Sequence, residues 1–246
     1  MKVAGLCWIS VLLAVSLSVG DCATMDPDYV TRIAKLIQDN YEYNEMQFSV
    51  AVNIPKDPKN TEELEKVILP VSFDKLKEDL DKGKVYRDTH VVVGVPLKQL
   101  TNNGKPYKIH AEIRVLDNLG DLANTREGKI LFLYSWYSAC DRCTQEKGLY
   151  SILEKIRGLK NRAWESYAFV FHTVYQYIKP DNNGKGGRVI PKDEIQKTLR
   201  NLRTVINDDN IFRCYNPKNE VFRCVKCFVD ASKTANPVDK CVQNEE

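Results

Sequence analysis

Two short runs hold the residues whose types and spacing could do chemistry: His110-Ala111-Glu112 and Cys140-Asp141-Arg142-Cys143. They supply one imidazole, two thiols and a carboxylate that is not needed as a ligand. That is the inventory of a catalytic zinc site, in which three protein atoms hold the ion and a fourth position is left for water. Water at such an ion ionises near neutral pH, and a nearby carboxylate can carry its proton. Each role needs a different residue type, and all are present: His110, Cys140 and Cys143 as ligands, Glu112 as proton carrier. The cysteines also admit a second reading. A strand ending in an aromatic residue, then C-x-x-C opening a helix, is the pattern of a thiol-disulfide oxidoreductase. In an exported protein the pair could equally close as an inert disulfide. Both alternatives leave His110 and Glu112 without a role.

The elements around these runs must bring them together. Asp26 to Asn40 reads as a helix, capped by Asp26, with Pro27 in its first turn and Val30, Ile33, Ala34 and Ile37 on one face. Strands are expected over 47–54, 90–95, 130–136, 167–174 and 210–215. Residues 55–89 form a charged insertion with a helix near Phe73 to Leu80, and Lys98 to Lys108 a polar loop around Asn103-Gly104. His110 to Leu119 is helix-compatible, with Ile113, Leu116 and Leu119 facing inward. On that helix His110 and Glu112 point about 200° apart, so only the freedom of a first turn lets both serve one site. A helix from Cys140 to about Leu159, with Leu149, Ile152, Leu153 and Ile156 buried, stacks the two thiols one turn apart near its positive end. A last helix, Lys192 to Ile206, lies between the final two of the five strands and implies a parallel crossover.

Compartment follows from the two ends of the chain. Lys2, the apolar stretch Val3 to Val15 and the small residues Ser18-Val19-Gly20 read as a secretory signal over 1–20. The apolar run is shorter than the roughly 20 residues that span a bilayer, so no membrane anchor is expected. The mature chain divides into a core over 21–208 and a segment over 209–246 holding the last core strand and a cysteine-rich tail. Cys214, Cys224, Cys227 and Cys241 lie in that tail, which in an oxidising compartment suggests disulfides, with three connectivities open. A second zinc site made of the four is the alternative. Cys224 and Cys227 fall on opposite faces of a strand over 221–229 and so need different partners. Cys22 is left over. The formal charge of +3 is too mild to argue for or against nucleic acid, and 43% hydrophobic with 28% charged residues is ordinary for a globular chain. Oligomeric state is not legible.

Read together, His110-Ala111-Glu112 and Ser135-Trp136-Tyr137-Ser138-Ala139-Cys140-Asp141-Arg142-Cys143 resemble the H-x-E and S-W-S-P-C-x-x-C runs of the AID/APOBEC-like cytidine deaminases. With its export signal and cysteine-rich tail, the chain is most similar to the secreted novel AID/APOBEC-like deaminases. The resemblance implies an α/β fold, a cytidine-deaminase-like three-layer α/β/α sandwich with a five-stranded mixed sheet and a disulfide-stapled tail. It implies a secreted enzyme with bound zinc (Zn2+) that deaminates cytosine in a nucleoside or in single-stranded nucleic acid. By position it places Trp136 and Tyr137 in the pocket for the base, and Tyr175, Tyr177 and Lys179 to Arg188 against what flanks it. Tyrosines that merely finish the core are the plainer reading of Tyr175 and Tyr177. The chain departs from the pattern where Ala139 replaces proline and where Tyr137 counts as an insertion into S-W-S-P. A secreted binding protein on the same scaffold is the non-catalytic alternative.

Overall fold

The strands of this chain are apolar on both faces, which demands a helical layer on each side. In the computed structural model, which describes residues 24–42, 47–55, 61–70, 72–100, 103–104, 106–120, 122, 129–159, 164–180, 186–206, 210–218, 220–230, 232 and 234–244, that demand is met. The signal over 1–20, Cys22 and residues 182–185 of the Asn182 to Arg188 loop lie outside the described residues. In chain order the elements are α1 (Pro27–Tyr41), β1 (Ser49–Pro55), α2 (Thr61–Ile68), α3 (Phe73–Asp81), β2 (Tyr86–Arg87) and β3 (Val91–Gly94). A hairpin of β4 (Leu97–Leu100) and β5 (Pro106–Ile109) leads into α4 (Ala111–Asp117), β6 (Lys129–Tyr137) and α5 (Ile152–Leu159). Then come β7 (Ser166–Thr173), the short pair β8 (Tyr177–Ile178) and β9 (Arg188–Val189), α6 (Lys192–Arg203), β10 (Ile211–Tyr215) and β11 (Arg223–Lys226).

One seven-stranded sheet runs in the order β11-β10-β7-β6-β1-β3-β2. Its five central strands are the five expected from the sequence. The two additions, β2 and β11, are short antiparallel edge strands. The sheet is mixed: β6, β7 and β10 are parallel, while β1 runs antiparallel to β6 and β3. The parallel β7–β10 pair is the crossover that α6 required. Alternation along each strand sorts side chains into two cores. Val50, Val52, Ile54, Phe132, Tyr134, Val170 and Phe212 face α1, α2 and α3. Ala51, Leu131, Leu133, Phe169, Phe171 and Ile211 face α4, α5 and α6. The result is a three-layer α/β/α sandwich.

Caps and turns account for the boundaries. Asp26 accepts hydrogen bonds from the backbone nitrogens of Asp28 and Tyr29 at 2.7 and 3.2 Å, which starts α1 where Pro27 suits it. Three expectations need correction. Helix α2 lies within the charged insertion, where Leu64, Val67 and Ile68 are buried at helical spacing. The loop over 98–108 contains the β4–β5 hairpin, turned at Gly104 with φ +72°. No helix opens at Cys140: a 3-10 turn, Arg142–Thr144, is followed by irregular chain through Gly148 (φ +134°), and α5 starts after Ser151. Ser151 Oγ accepts from Glu154 N at 3.2 Å and caps that helix. Leu149, placed on the helix's buried side by the sequence reading, is therefore outside the helix and 86% exposed.

The cysteine-rich segment is closed by two disulfides, Cys214–Cys224 and Cys227–Cys241. The first bridges directly opposed residues of β10 and β11 on the α1 side of the sheet, and the second lies in the other core. Cys224 and Cys227 thus have different partners, as their opposite faces require, and the four do not form a metal site.

Candidate metal centre and active site

Helix α4 must lie close on the sheet for its first residues to reach the cysteines. Gly94 permits that approach, since a Cβ there would meet Val115 Cγ2 at 3.2 Å and Ala111 O at 3.5 Å. Arg114 fixes the register, its Nη1 donating to Val95 O and its Nη2 to Gly83 O, each at 2.5 Å. His110 is the N-cap of α4, with extended backbone (φ −71°, ψ 153°), while Glu112 sits in the first turn. Because His110 lies outside the helical geometry, its ring is not held to the roughly 200° offset of residues two apart on a helix.

The thiols come from the other end of β6. Ser138 N donates to Thr173 O at 2.8 Å, and the chain then turns so that Thr144 N donates to Cys140 O at 3.2 Å and Asp141 O at 3.1 Å. Asn201 of α6 holds the turn by donating to Thr144 O at 3.1 Å. His110 Nδ1 lies 3.0 Å from Cys143 Sγ and 3.7 Å from Cys140 Sγ, and the two sulfurs are 3.0 Å apart. Both cysteines are free. Among the described residues these three form a group that could hold a metal ion, their donor atoms all within 4.8 Å of one another.

Glu112 is fully buried beside this group. Its Oε1 accepts from Ser135 Oγ at 2.8 Å, and Ser135 Oγ accepts in turn from Ser49 Oγ at 3.2 Å. Its Oε2 is buried without a hydrogen-bond partner. Burial pushes the carboxyl above its ordinary range, against the pull of His110 and the Ser135 hydroxyl. The hydrogen bond to Cys140 raises His110. The hydrogen bond to Cys143 brings Cys140 down to about 5, and its counterpart, with burial, holds Cys143 well above the usual thiol range. One imidazole and two thiols are the donor set of a tetrahedral zinc site with an open position, and an orphaned carboxylate oxygen beside them is what a water at that position would satisfy.

The four expected substrate residues separate. Tyr137 lies on the site face of β6, with Ser135, and its ring meets Tyr175 edge-on at 5.8 Å. Tyr175 packs against the same core as Cys140, and its backbone nitrogen donates to Ser138 Oγ at 2.9 Å. Burial, then the nearby thiols of Cys140 and Cys143, raise its phenol. Trp136 does not join them. The two-residue period of β6 turns it to the opposite face, where it stacks on His172 at 4.3 Å and packs with Phe48. Tyr177, on β8, is 49% exposed, and its partner strand carries Arg188, which is paired with Glu194 at 2.8 Å.

The sequence reading passed over Ser135, Ser138 and Tyr150, whose ring centroid lies 6.4 Å from that of His110. Ser135 and Ser138 stand inside the run that carried the resemblance; the strand period marks Ser135 as facing the site, whereas Ser138 lies just past the end of β6. Tyr150 had no signal, because the segment holding it is irregular. No curated protein matches the chain. The model of one family, described as Secreted Novel AID/APOBEC-like Deaminase 1, matches residues 27–244, which takes in the whole sandwich, the His/Cys/Cys group and both disulfides. The chain belongs to that family.

Proposed function

We propose that this secreted protein is a zinc-dependent hydrolase that deaminates cytosine, in a nucleoside or in single-stranded nucleic acid. The observation that carries the reading is Glu112: a buried carboxylate, fixed at one oxygen by Ser135 and unpartnered at the other, beside three converging metal-ligand atoms. His110, Cys140 and Cys143 would hold the zinc, which when bound supplies a Lewis acid and an ionisable water at neutral pH. Glu112 takes the proton from the attacking water and passes it to the ring nitrogen, then to the departing amine, so that water and cytosine become uracil and ammonia. Burial raises its pKa, which suits a group that holds a proton between taking it up and giving it away. Tyr137 and Tyr175 offer an edge-on aromatic pair near the Cys140 and Cys143 thiols, suited to holding a flat base.

The test is zinc content and turnover on the same preparations. The unreduced protein should carry about one tightly bound zinc per chain, and His110→Ala should lose it. Glu112→Gln should keep the zinc and lose turnover by at least about 10²-fold on cytidine or single-stranded oligonucleotides. Turnover surviving in Glu112→Gln would overturn the mechanism. A second reading draws on the low thiol of Cys140 beside the buried Cys143, the asymmetry of a redox pair. Its mark would be a zinc-free protein with Cys140 and Cys143 joined.

A further inference from the structure

The segment that carries Tyr175 leaves the end of β7 and is held from two sides. On one side it is tied to the residues leading into Cys140, through Tyr175 N to Ser138 Oγ at 2.9 Å and Ser138 N to Thr173 O at 2.8 Å. On the other side stands Asn244, 70 positions away in sequence. Its Oδ1 accepts from Val174 N and its Nδ2 donates to Val174 O, both at 2.9 Å. One side-chain amide thereby satisfies both backbone groups of one residue, as a neighbouring strand would. Asn244 N also donates to Gln176 Oε1 at 3.1 Å.

Asn244 is itself anchored. Arg213, on β10, donates through Nη1 to Lys240 O at 2.5 Å and Gln243 O at 2.7 Å, through Nη2 to Asn244 Oδ1 at 3.0 Å, and through Nε to His172 O at 3.1 Å. The Cys227–Cys241 bridge ties the same stretch to the segment after β11. A run of chain that only secured itself would need none of the three hydrogen bonds that join Asn244 to Val174 and Gln176. They are spent on the residues flanking Tyr175.

We propose that Asn244 is a positioning residue: held by Arg213 and the Cys227–Cys241 bridge, it fixes Val174-Tyr175-Gln176 so that Tyr175 stays against Tyr137 near the thiols of Cys140 and Cys143. That this aromatic pair receives a base rests on the proposed function; that Asn244 orders the segment does not. A wall ordered before substrate arrives spares the entropy of ordering it on binding, so the effect falls on affinity and not on the chemical step.

Amide hydrogen exchange on the intact, unreduced protein reads this directly. Asn244→Ala should speed exchange over 174–176 by about tenfold, leaving β6 and the zinc content as in the wild type. Asn244→Asp keeps the acceptor for Val174 N–H and Arg213 but loses the donor, and should fall between the two. On a substrate that the wild type deaminates, Asn244→Ala should raise KM about tenfold with kcat within about twofold. Faster exchange confined to 239–244, or an unchanged KM, would overturn the proposal. A wild type that deaminates none of the substrates would defeat the proposed function and leave the positioning role to be decided by exchange alone.

Discussion

The two oxygens of Glu112 live in different environments, and the difference assigns work to Ser135. That hydroxyl donates to Oε1 at 2.8 Å from a fully buried position, and Ser49 donates to it in turn. A carboxylate aimed in this way presents its free Oε2 in one orientation. Ser135→Ala should therefore lower kcat about 10- to 100-fold, the worth of one hydrogen bond to a charged group, with zinc content unchanged and Ser135→Thr recovering most of the rate. Single-turnover rates and metal analysis on the three proteins check this, and an unchanged kcat would make Ser135 a packing residue. The His/Cys/Cys group that could hold a metal, and the buried Glu112 beside it, were legible in the sequence because each is set by residue type. The aromatic beside them was less so, because Trp136 and Tyr137 are both aromatic and adjacent. Only the face of the strand, fixed by Leu131 and Leu133 in one core and Phe132 and Tyr134 in the other, separates them.

Elements were legible where burial is two-sided. Apolar runs such as Ile130 to Tyr134 leave a strand little choice, and all five expected strands lie side by side in the sheet. The errors fall where local chemistry competes with pattern. The spacing of Leu149 and Ile152 suggested one long helix after Cys140, but Ser151 followed by Glu154 is a capping-box sequence that starts the helix later. Helix α2 was hidden by its own charges, and the β4–β5 hairpin by polar residues on both faces, Lys98 standing opposite Lys108. At this scale the far face of the sheet carries a testable acid sensitivity. His172 at the end of β7 is stacked between Trp136 at 4.3 Å and Phe222 at 6.5 Å. Burial, aided by Arg213, lowers its pKa to about 4. The folded chain holds this ring neutral, whereas the unfolded chain protonates it below about 6.5. Its contribution is thus fully present above about pH 6.5 and is lost as the pH falls toward 4, by on the order of 2 to 3 kcal/mol. His172→Phe should remove that part of the slope: between pH 7 and 4 the urea midpoint should fall less in the variant than in the wild type. Parallel slopes would show that carboxylates elsewhere dominate.

At the scale of the whole molecule, the candidate metal centre and the disulfides draw on different cysteines. Cys140 and Cys143 are free and reach the site through the 3-10 turn after β6, whereas Cys214, Cys224, Cys227 and Cys241 are paired and buried, one bridge on each side of the sheet. The first bridge joins β10 to β11, where Cys224 N donates to Thr31 Oγ1 of α1 at 3.0 Å, and the second joins the end of β11 to the segment anchored by Arg213. The site keeps its shape by contacts that need no metal: the close approach at Gly94, the Arg114 clamp and the Asn201 bond to the turn. A chelator should therefore leave a chain that still unfolds in one cooperative transition, with Cys140 and Cys143 newly open to alkylation. Millimolar reductant alone should leave both bridges closed at 25 °C, because their sulfurs are reached only when the fold opens. Reduction in denaturant, thiol blocking and refolding should cost about 2 to 5 kcal/mol and shift the thermal midpoint down. Mapping the alkylated cysteines by mass spectrometry beside each melting curve tests both halves. Rapid labelling of Cys227 or Cys241 in the native chain, or unfolding on chelation alone, would mean that metal and tail are not independent supports.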